Sequence, residues 1–505
     1  MVVFWLYCRY FEQSYFFVNK ATISRVVYNV SFSRKTCKGA GRLLANQNQE
    51  LIKENQGLIK ENQIIIKQNQ SLLKENRELK DTLFTYENPK NSRNSSMAPS
   101  KDENYPKPNQ SLRKSSGRKA GGQKGRKGKT LEMTAHPDEI IELVPNYCTS
   151  CGNSLQNMPF KKEQSRQIVD IPPVKAVFKE YQIFSKICNC GCKSTADFPS
   201  GVNTPISSGE NIEGLVAYFH ARQFLPFARM QEVFNTVFNI NISEGGIHCL
   251  LNRFSDKTKP IYKIIKQRVS NSAVIGADET GAKVNGNTQW FWTWQTPKLT
   301  YITHSKNRKG ETVKDHFPNG FPNSTLVHDG WKPQLNTLAK NHQSCLPHLQ
   351  RRLNYLILKY KSATWGLDFS KLLYEALELK KTLSFQHKEY TIERAKIIQK
   401  LQYLLEKPPD KTHKELFSFY KRMRGERQHL FTFLFLKNVP ADNNASERAI
   451  RNVKVKQKIS GQFKIEQAAQ NFAQIRSVID TIIKNGLNVL DGLALIAKFE
   501  FQLKD

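Results

Sequence analysis

Apolar and polar positions change their period several times along the chain, and each change marks an element. Between residues 44 and 83 Leu44, Leu51, Leu58, Ile65, Leu72 and Leu79 recur every seven positions, with Asn48, Asn55, Asn62, Asn69 and Asn76 interleaved. If the leucine series occupies d of a heptad, the asparagines occupy a, which is the seam of a coiled coil. A buried Asn at a trades stability for register and a two-stranded state, and Ile52, Ile59, Ile66 and Leu73 at e widen the apolar stripe. Parallel pairing of two chains is the expectation; one amphipathic helix packed on its own domain is the competing reading. From Asn88 to Lys129 the periodicity disappears into Asn, Ser, Gly and Pro, a linker without stable structure. Strand-like stretches follow (QIVDIPPV, VFKEYQIFSKI), and residues 211–270 then read as helices. Within them QEVFNTVFNINISEGGIHCLLNRF holds two periodic segments around a turn, compatible with helix-turn-helix.

At residue 273 the period becomes two, in AVIGADETGAKVNGNTQWFWTWQT. Asn285-Gly286 signals a type I′ hairpin, which sets Trp290, Trp292 and Trp294 on one face and Asp278 opposite Thr293. A carboxylate inside an apolar strand costs desolvation unless a cation or partner balances it. LTYITHS gives a third strand, and STLVHDGW a fourth that delivers Asp329 at its end. Residues 353–438 are helical in pattern (KLLYEALELKK, TIERAKIIQKLQYLLEK) and read as an insertion. Beyond it, ADNNASERAIRNVKVKQKISGQF opens a helix, with Asn444 as the expected N-cap and Glu447 reaching back to the backbone. Glu447 and Arg451 are also spaced for an ordinary surface ion pair.

Composition adds a partner. The 505 residues carry a formal charge of +33, an excess that calls for a polyanion, since each Lys or Arg set on a phosphate releases condensed counterions. Nucleic acid is the default and an anionic membrane the rival; no uninterrupted apolar run approaches the roughly 18 residues a span requires. Residues 1–40 are aromatic-rich, broken by Arg9 and Glu12, and lack a small-residue cleavage site. They read as an added segment without its own fold, left by an upstream translation start, although no further Met occurs until Met97. In the linker, Arg118, Lys119, Lys124, Arg126 and Lys127 belong to a run without acids that can lie along a phosphate backbone. Cys148-x-x-Cys151-Gly and Cys188-Asn-Cys190-Gly-Cys192 form two thiol groups suited to a structural tetrahedral Zn²⁺ in a reducing compartment. Cys148, Cys151 and Cys190 are its expected ligands, with Cys188 ahead of Cys192 for the fourth position.

Asp278, Asp329 and Glu447 stand far apart in sequence, yet together they are a recognisable set. Carboxylates suit hard Mg²⁺, and two such ions about 4 Å apart can run phosphodiester transfer. An open mixed sheet with a helix laid across it brings such acids together, as in the ribonuclease H fold. The chain resembles transposases of the insertion-sequence-66 family from about residue 43 to about residue 495. Carrying the resemblance are the NSRNSS stretch before GRKAGGQKGRKG, RQIVDIPPVK between the cysteine pairs, LPFARMQEVF with ISEGGIH, GADET, HDGW, CLPHLQRR and NNASERAIRNVKVKQK. It implies that Asp278, Asp329 and Glu447 are the catalytic triad, holding two Mg²⁺ or Mn²⁺. It also implies that Cys345 and His348 shape the site rather than hold zinc, a plain core role being the alternative, and that Arg448, Arg451, Lys454, Lys456 and Lys458 line the DNA beside Glu447. The irregular second cysteine group departs from the family pattern, as do His328 and Trp331 beside the second acid.

The expected fold class is multidomain α/β. It has an unmatched segment (1–40), a coiled coil (41–86), a basic linker (87–135), a zinc-binding module (136–200) and a helical, helix-turn-helix-like DNA-binding region (201–270). A ribonuclease H-like mixed α/β core (271–465, helical insertion 353–438) and C-terminal helices (466–505) complete it. The expected function is that of a bacterial DNA transposase in the cytoplasm, at the nucleoid. Its expected partners are inverted-repeat ends, target DNA, a second copy or more through the coiled coil, and small accessory proteins of the same element. The rivals are a nuclease or resolvase with the same core, which cuts but never joins, and a zinc-containing DNA-binding regulator with an inactive core.

Overall fold

The computed structural model describes residues 40–88 and 131–499, apart from 173, 200 and 203. The expectations for residues 1–39 and for the linker, with Arg118, Lys119, Lys124, Arg126 and Lys127, lie outside the described residues. The chain separates into two compact units, 1–89 and 90–505. In the first, α1 (Ala40–Glu87) is one unbroken helix of 48 residues. Its heptad positions Leu51, Leu58, Ile65 and Leu72 are all at least half exposed. No described helix is long and apolar enough to cross a membrane.

In the second unit, the described residues between 131 and 209 form an arm with little regular secondary structure. Of the expected strands there, only β1 (Ser185–Ile187) forms, paired antiparallel with β2 (Lys193–Thr195). QIVDIPPV forms no strand, and Ile168 and Ile171 stay exposed. Alternating apolar residues make a strand only where a neighbouring strand takes the hydrogen bonds and a core takes the face; the arm offers neither to these residues.

Helices α2 (Glu210–Ala217), α3 (Phe227–Phe238) and α4 (Glu244–Ser270) follow. A π-helical turn at Tyr218–Arg222 and Phe224 at φ 62° lead into α3. Asn239, at φ 52°, ends α3, and the Ser243 side chain accepts from the Gly246 amide to start α4. Ile247, Leu250, Leu251, Phe254 and Ile265 give α4 the apolar stripe that joins it to the main core.

That core surrounds a sheet of five strands: β3 (Val274–Val284), β4 (Asn287–Gln295), β5 (Thr300–Ser305), β6 (Phe321–His328) and β7 (Ala339–Ser344). Their spatial order is β5-β4-β3-β6-β7. The first three form an antiparallel meander, and β6 and β7 run parallel to β3. Asn285 and Gly286 take the positive φ that the two-residue hairpin needs, and Asp278 pairs with Thr293 as the alternation requires. On the face carrying Trp292 and Trp294, α5 (Glu311–His316) and Phe317 pack, with Phe317 edge-on to Trp294 at 4.9 Å. The opposite face carries α12 (Asn444–Ser460) and α13 (Glu466–Lys484), which meet it through Ser446 and Lys484, both bonded to Gln295. A short α6 (Lys332–Leu335) links β6 to β7. Helices α7 (Leu346–Lys359), α8 (Thr364–Thr382), α9 (Lys388–Glu406), α10 (Lys414–Gly425) and α11 (Arg427–Leu430) intervene between β7 and α12, and α14 (Val489–Lys498) closes the unit. The intervening helices start at residue 346 instead of the expected 353, because α7 follows β7 without a loop. The chain is thus a mixed α/β protein built on a central sheet.

Candidate active site

Two neighbouring parallel strands run in step here. Val274–Gly276 of β3 pair with Thr325–Val327 of β6. Two residues beyond that register lie Asp278, on β3, and Asp329, in the turn that follows β6. In-phase parallel strands turn equivalent residues to the same face, so the two acids emerge side by side. Gly330, at φ 85°, makes the turn after Asp329.

The third acid arrives on α12. A helix can come this close to β3 because Gly276 has no side chain: a Cβ there would meet Ser446 Oγ at 2.5 Å and Gln295 Nε2 at 2.6 Å. Asn443 Nδ2 donates to the Ala277 carbonyl at 2.7 Å, and Ser446 Oγ donates to Asn443 Oδ1 at 2.6 Å. This clamp sets the first turn of α12, which carries Glu447, against the strand. Burial, then the carboxylates of Glu279 and Asp329 and more weakly Glu447, hold the Asp278 carboxyl well above the usual range. One oxygen of each aspartate is fixed by the backbone: Asp278 Oδ1 accepts from the Glu279 amide and Asp329 Oδ1 from the Trp331 amide, both at 2.9 Å. Glu447 Oε1 is buried without a hydrogen-bond partner, 3.6 Å from both His348 Nδ1 and Arg351 Nη2.

The expected capping box does not form. Asn443, not Asn444, is the N-cap, and it makes no side-chain cap because that side chain holds β3 instead. The ion-pair partners of Glu447 are His348 and Arg351 of α7, whereas Arg451 stays exposed. Two further expectations are corrected on the same helix. Lys456 is buried, 4% exposed, with Nζ 3.4 Å from His220 Nδ1 and from the Leu225 carbonyl. Burial lowers its pKa to about 8. Lys454 donates to the Gly281 carbonyl of β3. Both face the protein, not DNA, because a period of 3.6 puts them on or near the stripe of Ala449 and Val453. Arg448, Arg451 and Lys458 are exposed.

Around the acids stand residues to which the sequence assigned no role. Glu279, its side chain 1% exposed, takes the Arg308 guanidinium at 2.6 and 3.0 Å on a single oxygen, and that guanidinium lies over Trp331 (4.0 Å) and Trp290 (4.7 Å). His328 is fully buried and its Nδ1 accepts the Gly330 amide at 3.0 Å, which fixes the neutral ring with its proton on Nε2. That Nε2 donates to His342 Nδ1, also at 3.0 Å. Burial pushes His328 down to about 3, so the neutral form is kept. Thus Arg308 holds Trp331 and His328 holds Gly330, bracing the Asp329 turn from both sides. His328 opens the HDGW motif, which is its hint in the sequence; Arg308 has none.

The arm carries the cysteines in two turns. Gly152, at φ 75°, donates to the Cys148 carbonyl, and Gly191, at φ 83°, to that of Cys188. Backbone amides of Cys151 and Ser150 lower the Cys148 thiol pKa, and the Cys192 amide lowers that of Cys190. Such amides aimed at sulfur favour thiolate, the form a metal needs. Among the described residues, however, Cys148, Cys151, Cys188, Cys190 and Cys192 are not gathered into one group of ligand atoms. Among the described residues, the one group of three or more His, Cys, Asp or Glu ligand atoms within 4.8 Å of one another is Cys345, His348 and Glu447.

A family model described as "Transposase IS66 family" matches residues 206–471, from the helices before the sheet through α12 into α13. A second, "Family of unknown function (DUF6444)", matches residues 44–132, which include most of α1. No curated protein matches the chain.

Proposed function

The chain belongs to the Transposase IS66 family, and from that premise we propose that it cuts and joins DNA at Asp278, Asp329 and Glu447. Membership implies a DNA-transfer enzyme that binds DNA; the triad, the ion and the fold-level likeness to ribonuclease H are this proposal's own. The observation that supports it is geometric: Asp278 and Asp329 follow in-register parallel strands, and Asn443 clamps the helix that carries Glu447 onto β3.

The donor set fits Mg²⁺. It consists of hard oxygens, and Glu447 Oε1 is buried with no hydrogen bond to satisfy it. Asp278 and Asp329 would hold ions from the sheet and Glu447 from the helix. The chemistry two bound ions supply is activation of a water or 3′-hydroxyl and stabilisation of the leaving oxygen. The protein's own share is orientation. The Asn443–Ser446 clamp fixes the distance of α12 from β3, and the Glu279 and Trp331 amides fix one oxygen of each aspartate. Arg448, Arg451 and Lys458 supply positive charge along the exposed side of α12, where phosphates flanking the scissile bond can lie. Through its exposed heptad stripe α1 pairs two chains, and a structural Zn²⁺ in the arm would draw together Cys148, Cys151, Cys190 and either Cys188 or Cys192, whose ligand atoms do not form one group without it.

Asp278→Asn and Glu447→Gln test the triad. Each should keep binding to the element's ends while losing Mg²⁺-dependent cleavage by about a thousandfold or more, since electrostatic and metal contributions of this kind are worth several kcal/mol. Cleavage retained in either variant rejects the assignment. Cleavage by the wild type with no joined product would indicate a nuclease or resolvase instead.

A further inference from the structure

Cys345 caps the N-terminus of α7 at 1% exposure, and His348 lies one turn further on the same helix. Glu447 approaches from α12. Cys345 Sγ is 3.2 Å from His348 Nδ1, and that nitrogen is 3.6 Å from Glu447 Oε1. Zinc bonds of about 2.3 Å to sulfur and about 2.0–2.2 Å to nitrogen and oxygen imply tetrahedral edges of roughly 3.3–3.6 Å. Two edges of such a polyhedron are therefore already in place, and the three ligand atoms all lie within 4.8 Å of one another. The donors are also of the right kind: a thiol, an imidazole nitrogen and a carboxylate oxygen favour a borderline-soft ion over magnesium. Two details fit a metal. The Asn443 amide donates to Cys345 Sγ at 3.3 Å, which favours thiolate against the burial that pushes the thiol up to about 12, and Glu447 Oε1 is the buried acceptor left without a hydrogen bond. Arg351 competes for the same oxygen; its side chain is 29% exposed and can turn to solvent.

We infer that Cys345, His348 and Glu447 form a second metal site, selective for Zn²⁺ or an ion of like softness, that shares its glutamate with the magnesium site. Binding displaces the thiol proton to solvent and leaves the fourth position to water. While zinc is bound, Glu447 is withdrawn from the triad, so zinc inhibits. Only this inhibitory consequence rests on the reading of Asp278, Asp329 and Glu447 as the triad; the metal site itself does not.

The test uses the full chain, stripped of metal under reducing conditions and titrated with Co²⁺ as a spectroscopic probe. Wild type should take up one ion more than Cys345→Ser, and the difference spectrum should show thiolate-to-cobalt charge transfer with tetrahedral d–d bands. The arm cysteines contribute equally to both and cancel. His348→Asn should lose the same band and guards against misfolding of the cysteine variant. Equal uptake and equal spectra in all three proteins would overturn the site. In a second arm, Zn²⁺ added to the Mg²⁺-dependent cleavage reaction should need about tenfold or more higher concentration to inhibit Cys345→Ser than wild type, each measured against its own zinc-free rate. Equal sensitivity overturns the shared glutamate. A wild type that never cleaves counts against the triad, while the cobalt result still decides the metal site.

Discussion

At the scale of single residues, the site depends on which charges have partners. Burial and then the Asp329 carboxylate push the Glu279 carboxyl up, the Arg308 guanidinium pulls it back, and the two tryptophans keep Arg308 in place. Removing one partner of a buried pair costs roughly 3–5 kcal/mol; with Arg308 35% exposed, about 2 kcal/mol is the better expectation for Arg308→Ala. Urea unfolding of the variant should show that loss, and cleavage should fall as well because Trp331 loses its support. Glu279→Gln in the Arg308→Ala background should restore part of the stability, which a simple packing defect would not allow. None of this could be read from "NRKG" in the sequence, because Arg308 gains its role only from the strands that bring Glu279 and Trp290 beneath it.

At the scale of elements, the decisive feature is a helix resting on a strand. Gly276 is the point of closest approach, so Gly276→Ala drives a methyl into Ser446 and Gln295. Overpacking of this kind costs about 1–3 kcal/mol. The expected result is a folded protein, by circular dichroism, with Glu447 displaced and cleavage lost out of proportion to stability. The opposite case is α1, whose leucines are exposed along the single chain. Removing residues 1–87 should turn an associating protein into a monomer by sedimentation equilibrium. Asn62→Leu with Asn69→Leu should strengthen association and loosen the preference for two strands, since polar a positions specify that state. Here the sequence is easier to read than at the site. A heptad of leucines and asparagines announces a helix wherever it occurs, and Asn285-Gly286 announces its hairpin. By contrast, QIVDIPPV looks like a strand but has nothing to pair with.

At the scale of the whole molecule, charge and buried histidines set the response to solution conditions. With a net charge of +33, DNA binding should weaken linearly in log K against log salt. Replacing Arg448 and Arg451 with alanine should make that slope shallower by about two, one for each phosphate no longer neutralised. His316 and His342 have ordinary pKa values of 6.5 that burial holds down to about 4. Below pH 6.5 the unfolded chain takes up protons that the folded protein refuses. Stability should therefore fall as pH drops from about 6.5 toward 4, with no loss from these groups above 6.5. Thermal unfolding at pH 7.5, 6 and 5 measures it.

Local pattern was enough to determine the long N-terminal helix, the hairpin and the alternating strands of the central sheet. Period and turn chemistry act over a few residues, so one chain suffices to reveal them. Only the tertiary structure decided that Asn443 clamps a strand instead of capping a helix, that Lys454 and Lys456 face inward, and that Cys345 and His348 meet Glu447. Those outcomes depend on which elements come within a few ångströms of one another, and distance across a fold is not a property of any stretch of sequence.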